Sequence, residues 1–281
     1  MRSLRRLTPA GRRVLMALVT ASLVATAVAE GFGQQGFDIF GRAGAIQPNP
    51  PYDGAFMFCR IMFRQNPYGD GDGWFVDYPR ADVNLSYRLS ELTATRVSKD
   101  SRGEFNHVLI RLTDDELYRC PFVMLSEPGG SYFDEEEAAR LRDYLLKGGF
   151  LWADDFWGER AWENWAEQIG KALPSTDYPI VDIPLDHELF HMLYQVDSVP
   201  QIPSVGIWLR GGATSERGAQ SAVPHARGIF DERRRLLVLS THNTDFGDAF
   251  ERESDSRPYF DRFAGVGYAF GINALLYALT H

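Results

Sequence analysis

Residues 134–158 read DEEEAARLRDYLLKGGFLWADDFWG, and this stretch decides the fold. Asp134 is followed three residues on by Glu137, the capping-box pattern that opens a helix. Ala138, Leu141 and Leu145 then fall on one face, while Glu135, Glu136, Arg142 and Lys147 can stay in water. Gly148-Gly149 stops the helix. Residues 150–153 (FLWA) form a short buried strand with Asp154-Asp155 at its end. Upstream, residues 122–126 (FVMLS) make another strand, closed by Glu127-Pro128-Gly129-Gly130. Downstream, the pattern predicts a second helix over 160–173. Strand, helix, strand, helix in this rhythm gives βαβ units and a parallel sheet, an α/β fold.

Working outward, residues 55–63 (AFMFCRIMF) are apolar enough for a buried strand. Residues 64–79 form a long loop, a place where function often resides. Its GDGDG run (69–73) lacks the Lys-Ser/Thr of a phosphate loop and the closing Glu of a calcium loop, so it is expected to be flexible and solvated. Val83, Leu85, Leu89 and Leu92 are near helical spacing over 81–92. Strands are expected at 107–112, 178–183 and 207–209, with a short helix over 184–194 (PLDHELFHMLY) capped by Asp186. Residues 211–224 read as an exposed loop. Residues 228–230 and 236–241 flank DERRR as an antiparallel hairpin at the sheet edge. The apolar run 264–280, which contains Asn273, is shorter than the roughly 20 residues of a membrane span. It is expected to pack on the sheet.

The chain has 281 residues, 44% hydrophobic and 24% charged, which excludes a disordered or fibrous protein. Two cysteines exclude a disulfide scaffold and a cysteine-rich zinc fold. Cys59 and Cys120 can pair after export or stay free. The net charge of -9 is unevenly spread, because residues 1–29 hold five Arg and no acid. Beyond them, 24 basic residues face 38 acidic ones. So acidic a body repels nucleic acid and anionic lipid. The basic start, the uncharged run 14–29 and its Ala27-Val28-Ala29 ending predict a signal peptide cleaved before Glu30, and Arg12-Arg13 loosely fits a twin-arginine signal. Residues 30–53 are rich in Gly, Gln and Pro and are expected to be a linker. The expectation is an exported protein, periplasmic or in the cell envelope, with membrane association only through an uncleaved N-terminus.

Five segments carry a family resemblance: YPRAD (78–82), RLTDDELYRCPFVMLSEPG (111–129), LRDYLLKGGFLWADDF (141–156), PLDHELFH (184–191) and NTDFGD (243–248). Together they resemble the bacterial domain of unknown function 4159 family, over nearly the whole chain from about residue 56. The resemblance implies a class I glutamine amidotransferase-like fold, a flavodoxin-like three-layer sandwich with a mostly parallel sheet. Members of the family are often exported or membrane-attached. They tend to be encoded near AAA-type ATPases and von Willebrand-type adhesion proteins. No activity comes with the resemblance. In true amidotransferases a catalytic Cys occupies the elbow after the matching strand; here the elbow is Asp154-Asp155-Phe156-Trp157-Gly158. Without a thiolate there, glutamine hydrolysis by that route is not expected.

In open α/β sheets, ligands bind beyond the carboxyl ends of the strands. Glu127, Asp154 and Asp155 fall there and are the candidate catalytic carboxylates. Arg80, Asp82, Asn243 and Asp245 are candidate ligand-binding residues. His187, His191 and His242 are candidate metal ligands. His187 and His191 would share a face of a helix, although the spacing departs from H-E-x-x-H. One elbow aspartate is expected to face the cleft with Glu127, and the other to cap the next helix or bind loop amides. Trp152, Phe156, Trp157, Trp162 and Trp165 crowd the elbow; the spacing of Trp162 and Trp165 suits burial more than sugar stacking. The leading expectation is a non-catalytic module that binds an envelope protein or a small ligand and needs no cofactor. The rival is a hydrolase using the strand-end carboxylates, with or without a divalent metal.

Overall fold

A computed structural model describes residues 48–281. The leader and most of the linker expected from the sequence lie outside the described residues. The strands are largely apolar, and the sheet follows from burying both of its faces. Its order is β3 (His107–Ile110), β1 (Phe58–Ile61), β4 (Phe122–Ser126), β6 (Phe150–Asp154), β9 (Leu236–His242), β8 (His225–Phe230) and β7 (Val181–Asp182). The first five are mutually parallel, while β8 and β7 run antiparallel at one edge. The first strand thus lies between the second and third, the flavodoxin-like order. The fold is an α/β three-layer sandwich.

Phe122, Met124, Phe150 and Trp152 point to one face, where α1 (Arg80–Leu92), α5 (Phe246–Glu251) and α6 (Arg257–Thr280) close the main core. Trp152 meets Phe246, Phe250 and Phe270 there. On the other face lie α2 (Glu135–Leu146) and α3 (Gly158–Ala172), with Trp165 donating to Ser240 at 2.9 Å. The capping box of α2 forms as the sequence dictates, with Glu137 N on Asp134 Oδ1 and Asp134 N on Glu137 Oε2, both at 2.9 Å. By length and composition α6 could cross a membrane, but 67% of its most apolar stretch is buried. Asn273 is satisfied inside the molecule, accepting from the amides of Leu193 and Tyr194 and donating to Tyr194 O. This is a core helix.

Several expectations are corrected. Residues 207–209 are not a strand but the middle of α4 (Val205–Gly211), whose first turn is capped by the Ser204 hydroxyl. The helix expected over 184–194 shrinks to a 3-10 turn, Glu188–Phe190, capped by His187 rather than Asp186. The GDGDG loop is not free in solvent: Asp70 N donates to Gly129 O at 2.8 Å, and the chain before it forms a small antiparallel pair, β2 (Arg64–Gln65) with β5 (Ser131–Tyr132). From Asn49 the expected linker is also tied down, because that side chain bonds both backbone groups of Leu109.

Cys59 of β1 and Cys120, just before β4, are joined in a disulfide that closes 61 residues of chain. Constraining that loop in the unfolded chain is worth about 4 kcal/mol by the loop-entropy relation. Reduction, or Cys59→Ser, should therefore lower stability by roughly 2–4 kcal/mol in urea unfolding at neutral pH; an unchanged midpoint would contradict this.

Candidate functional site

The site is built on an arginine in a strand. Arg60 of β1 is completely buried. Its Nε lies 3.0–3.1 Å from both carboxylate oxygens of Asp82 in α1, and its Nη2 donates to the same group. Nη1 donates to Trp74 O, Val76 O and Ser126 Oγ at 3.2, 3.1 and 2.5 Å. One guanidinium thus fixes the 74–76 backbone, the start of α1 and the end of β4. The next residue, Asp77, is held with φ 64°, and its carboxylate comes within 4.8 Å of those of Asp155 and Asp245, which follow β6 and β9.

The elbow is fixed from the opposite strand. Asp155 has φ 61° directly after β6, and Gly158 has φ 80° at the start of α3. Asn243, also at φ 61°, bridges the turn: its amide donates to Phe156 O and its Oδ1 accepts from Gly158 N, both at 2.9 Å. His242 Nε2 donates to Gly158 O at 3.0 Å, and its Nδ1 accepts from Arg227 at 3.2 Å. Its ring lies against Phe156 and Trp162. Burial lowers the His242 pKa to about 4, so the ring is neutral at pH 7.

Between these supports lies a cleft of about 570 Å³. Asp70, Asp72 and Asp77 enter it from the long loop. Glu127 and Asp155 stand at the ends of β4 and β6, and Glu216, Asp245, Asp248 and Glu251 come from later loops and α5. Arg217 and Arg252 are the cations in its wall. The loop can cross Glu127 because Gly71 has no side chain; a Cβ there would stand 2.7 Å from Glu127 Oε2. Burial, then the charges of Asp155 and Asp248, drives the Asp77 pKa well above the usual carboxylate range. Glu127 is raised by burial and by Asp72 and Asp77, Asp155 by burial and Glu127, and Asp245 by burial and Asp155. In such a cluster the acids hold protons or share a cation.

The structure sorts the sequence candidates. Glu127, Asp155 and Asp245 meet in the cleft. Asp154 does not reach it: Oδ1 accepts from the Thr241 hydroxyl, and Oδ2 accepts from the amides of Phe246 and Gly247 at 2.8 and 3.1 Å. Burial outweighs these donors and raises its pKa to about 7. Asp82 is consumed by Arg60, while Arg80 is half exposed and 4.0 Å from Asp255. Asn243 is buried and spends its side chain on backbone, accepting from Gly158 N and donating to Val223 O. His187 packs on Phe230 and Tyr277, beside the first residue of β9 and so at the far end of the sheet, and His191 is exposed. No histidine among the described residues belongs to a metal-capable cluster. The tryptophans Trp152, Trp157 and Trp165 are buried, and Trp162 stacks on Phe156 beneath Arg227. A second cavity, about 490 Å³ beside the disulfide, is lined by Pro50, Pro51, Phe56 and Met57 and gathers no buried acid.

Sequence reasoning missed Arg60, Asp77, Asp248 and Glu251. For Arg60 a signal existed, a lone charge in an otherwise apolar strand, since buried charges need partners. Asp77 carried none, being one aspartate in a loop holding three.

The chain belongs to the family described as Domain of unknown function (DUF4159), which it matches over residues 63–279. No curated protein matches it.

The division of labour at the elbow is testable in two ways. Asp154→Ala strands two buried amides and should cost about 1–3 kcal/mol in urea unfolding, whereas Asp155→Asn should leave stability unchanged or higher. The second test concerns pH. Because His242 binds its proton less tightly when folded, its contribution is full above about pH 6.5 and is lost as the pH falls toward 4. Relative to His242→Gln, the wild type should lose on the order of 2–3 kcal/mol across that window. Parallel pH profiles for the two proteins would refute the assignment.

Proposed function

We propose that the protein is an exported, non-catalytic binding module whose cleft takes a cationic ligand. One observation carries this reading: Asp77, Glu127, Asp155, Asp245 and Asp248 converge, largely buried, at the carboxyl ends of the parallel strands. Ligands of open α/β sheets bind at that position, and a wall this acidic selects positive charge. The absence of a thiol at the elbow supports binding rather than glutamine hydrolysis, because Asp155 occupies the place a nucleophile would need. The basic leader and the Cys59–Cys120 disulfide support an oxidising compartment outside the cytoplasm. A protein partner would then present a lysine or arginine side chain to the cleft.

A second reading, hydrolysis by the cleft carboxylates, is favoured by the left-handed backbone of Asp155. Hydrolases use a strained turn of this kind to expose a reactive side chain. Two interacting carboxyls, one protonated and one ionised, would serve as acid and base.

The test is a thermal-shift and calorimetric screen with spermidine, an oligolysine peptide and divalent chlorides, beside citrate and neutral sugars as controls. Only cations should raise the melting temperature, and Glu127→Gln with Asp155→Asn should weaken their binding about tenfold or more. A response to the controls but to no cation would defeat the proposal.

A further inference from the structure

Asp77 stands out within the cleft. Only 7% of it is exposed, and its Oδ2 is buried without a hydrogen-bond partner. That oxygen lies against the Cα of Gly247, where a Cβ would come within 2.0 Å of it. The Gly247 amide cannot serve it, because it already donates to Asp154. A buried carboxylate oxygen with no donor costs several kcal/mol unless a cation or a proton compensates it. Around Asp77 the acids close into two sets. Ligand oxygens of Asp77, Asp155 and Asp245 lie within 4.8 Å of one another, as do those of Asp77, Asp248 and Glu251.

The two sets differ in what already neutralises them. Arg252 Nε lies 2.8 Å from Glu251 and 3.5 Å from Asp248, so the second set has its counter-charge. Among the described residues no cation lies within ion-pair distance of the first, and Arg60, which acts on Asp77 from farther away, is already spent on Asp82. Asp155 accepts, among the described residues, from the Trp157 indole at 3.1 Å, and Asp245 accepts at Oδ1 from the Asp248 amide at 2.7 Å. We infer that Asp77, Asp155 and Asp245 form a binding site for one hard divalent cation, with Asp77 as its central ligand. Three carboxylates with neither imidazole nor thiolate suit magnesium, calcium or manganese rather than zinc. The remaining positions would be filled by water or by oxygens of a ligand entering the open cleft. The inference rests on the cationic-ligand reading of the cleft and names the cation.

The experiment is calorimetric titration of the chelator-treated protein with the chloride of each metal alone, combined with melting curves. One equivalent of metal should bind and raise the melting temperature. Asp77→Asn should weaken binding about 100-fold or more, as should Asp155→Asn and Asp245→Asn, while Asp115→Asn on the distant surface should leave it intact. Asp77→Asn should also melt no lower than the metal-free wild type, because Oδ2 has no donor to lose and the repulsion from Asp155 is relieved. Should Asp77→Asn fail to fold, the Asp155 and Asp245 variants decide the matter. The inference is overturned if no metal binds the wild type, or if metal binds the Asp77, Asp155 and Asp245 variants as tightly as the wild type. Spermidine or oligolysine binding without metal binding would overturn it while leaving the cationic cleft standing; binding of no cation at all would remove both.

Discussion

The ion pair between Arg60 and Asp82, both fully excluded from water, is the constraint on which the cleft depends. Burying a charge pair is expensive, and removing one partner from such a pair typically costs about 3–5 kcal/mol. The cost is offset here because all three nitrogens of the guanidinium donate, to Asp82, two carbonyls and a hydroxyl. The return is geometric. The loop joining β1 to α1 is held in its first half by the β2–β5 pair and by Asp70 on Gly129; the bonds from Arg60 to Trp74 and Val76 fix its second half, the part that carries Asp77. The negative field of the cleft is therefore assembled by a positive charge that the cleft itself never exposes.

A second constraint operates across the sheet. Because β9 runs parallel to β6, its end lies beside the elbow, and residues 242–245 can bond the backbone that continues from Asp155 into α3. His242 and Asn243 hold Phe156 and Gly158, while Asp154 reaches back to the amides of Phe246 and Gly247. The exchange is reciprocal: each strand end secures the segment leading away from the other. Neighbouring aspartates consequently separate in role, because successive side chains at a strand end point in different directions. Asp154 turns into the protein and Asp155 into the cleft.

The central architecture was legible because local signals agree with tertiary packing. The capping box at Asp134, the stop at Gly148-Gly149 and the apolar strands on either side leave little choice but a parallel βαβ unit. Legibility fails where long-range contacts decide. Residues 207–209 are β-rich by composition, yet the Ser204 cap makes them helical. The helix expected near His187 collapses to one turn because the segment is tied to α6 through Asn273. Within the cleft, Glu127, Asp155 and Asp245 were readable from their places at or just beyond strand ends. Asp82 lies outside the cleft because its partner is a strand residue 22 positions earlier, a pairing that no local spacing announces, while Arg80 faces Asp255 at the surface. Asp77 was hidden for the same reason, its position being set by Arg60 rather than by its neighbours.

Backbone strain ties these observations together. Five non-glycine residues among those described have positive φ: Asp77, Glu127, Asp155, Arg234 and Asn243. Arg234 lies in a hairpin turn, but the other four line or clamp one cleft. Each such conformation costs on the order of 1 kcal/mol or more, and glycine would relieve it. A purely structural turn has no need of a carboxylate at these positions. Asp77, Glu127 and Asp155 instead combine strain, burial and mutual repulsion, three destabilising conditions that a sequence free to choose would separate. They are reconciled if the quantity being maintained is the field at the centre of the cleft. The cation proposed for that centre would convert the repulsion among Asp77, Asp155 and Asp245 into attraction, and the left-handed backbone of Asp77 and Asp155 would hold two of its three carboxylates in place.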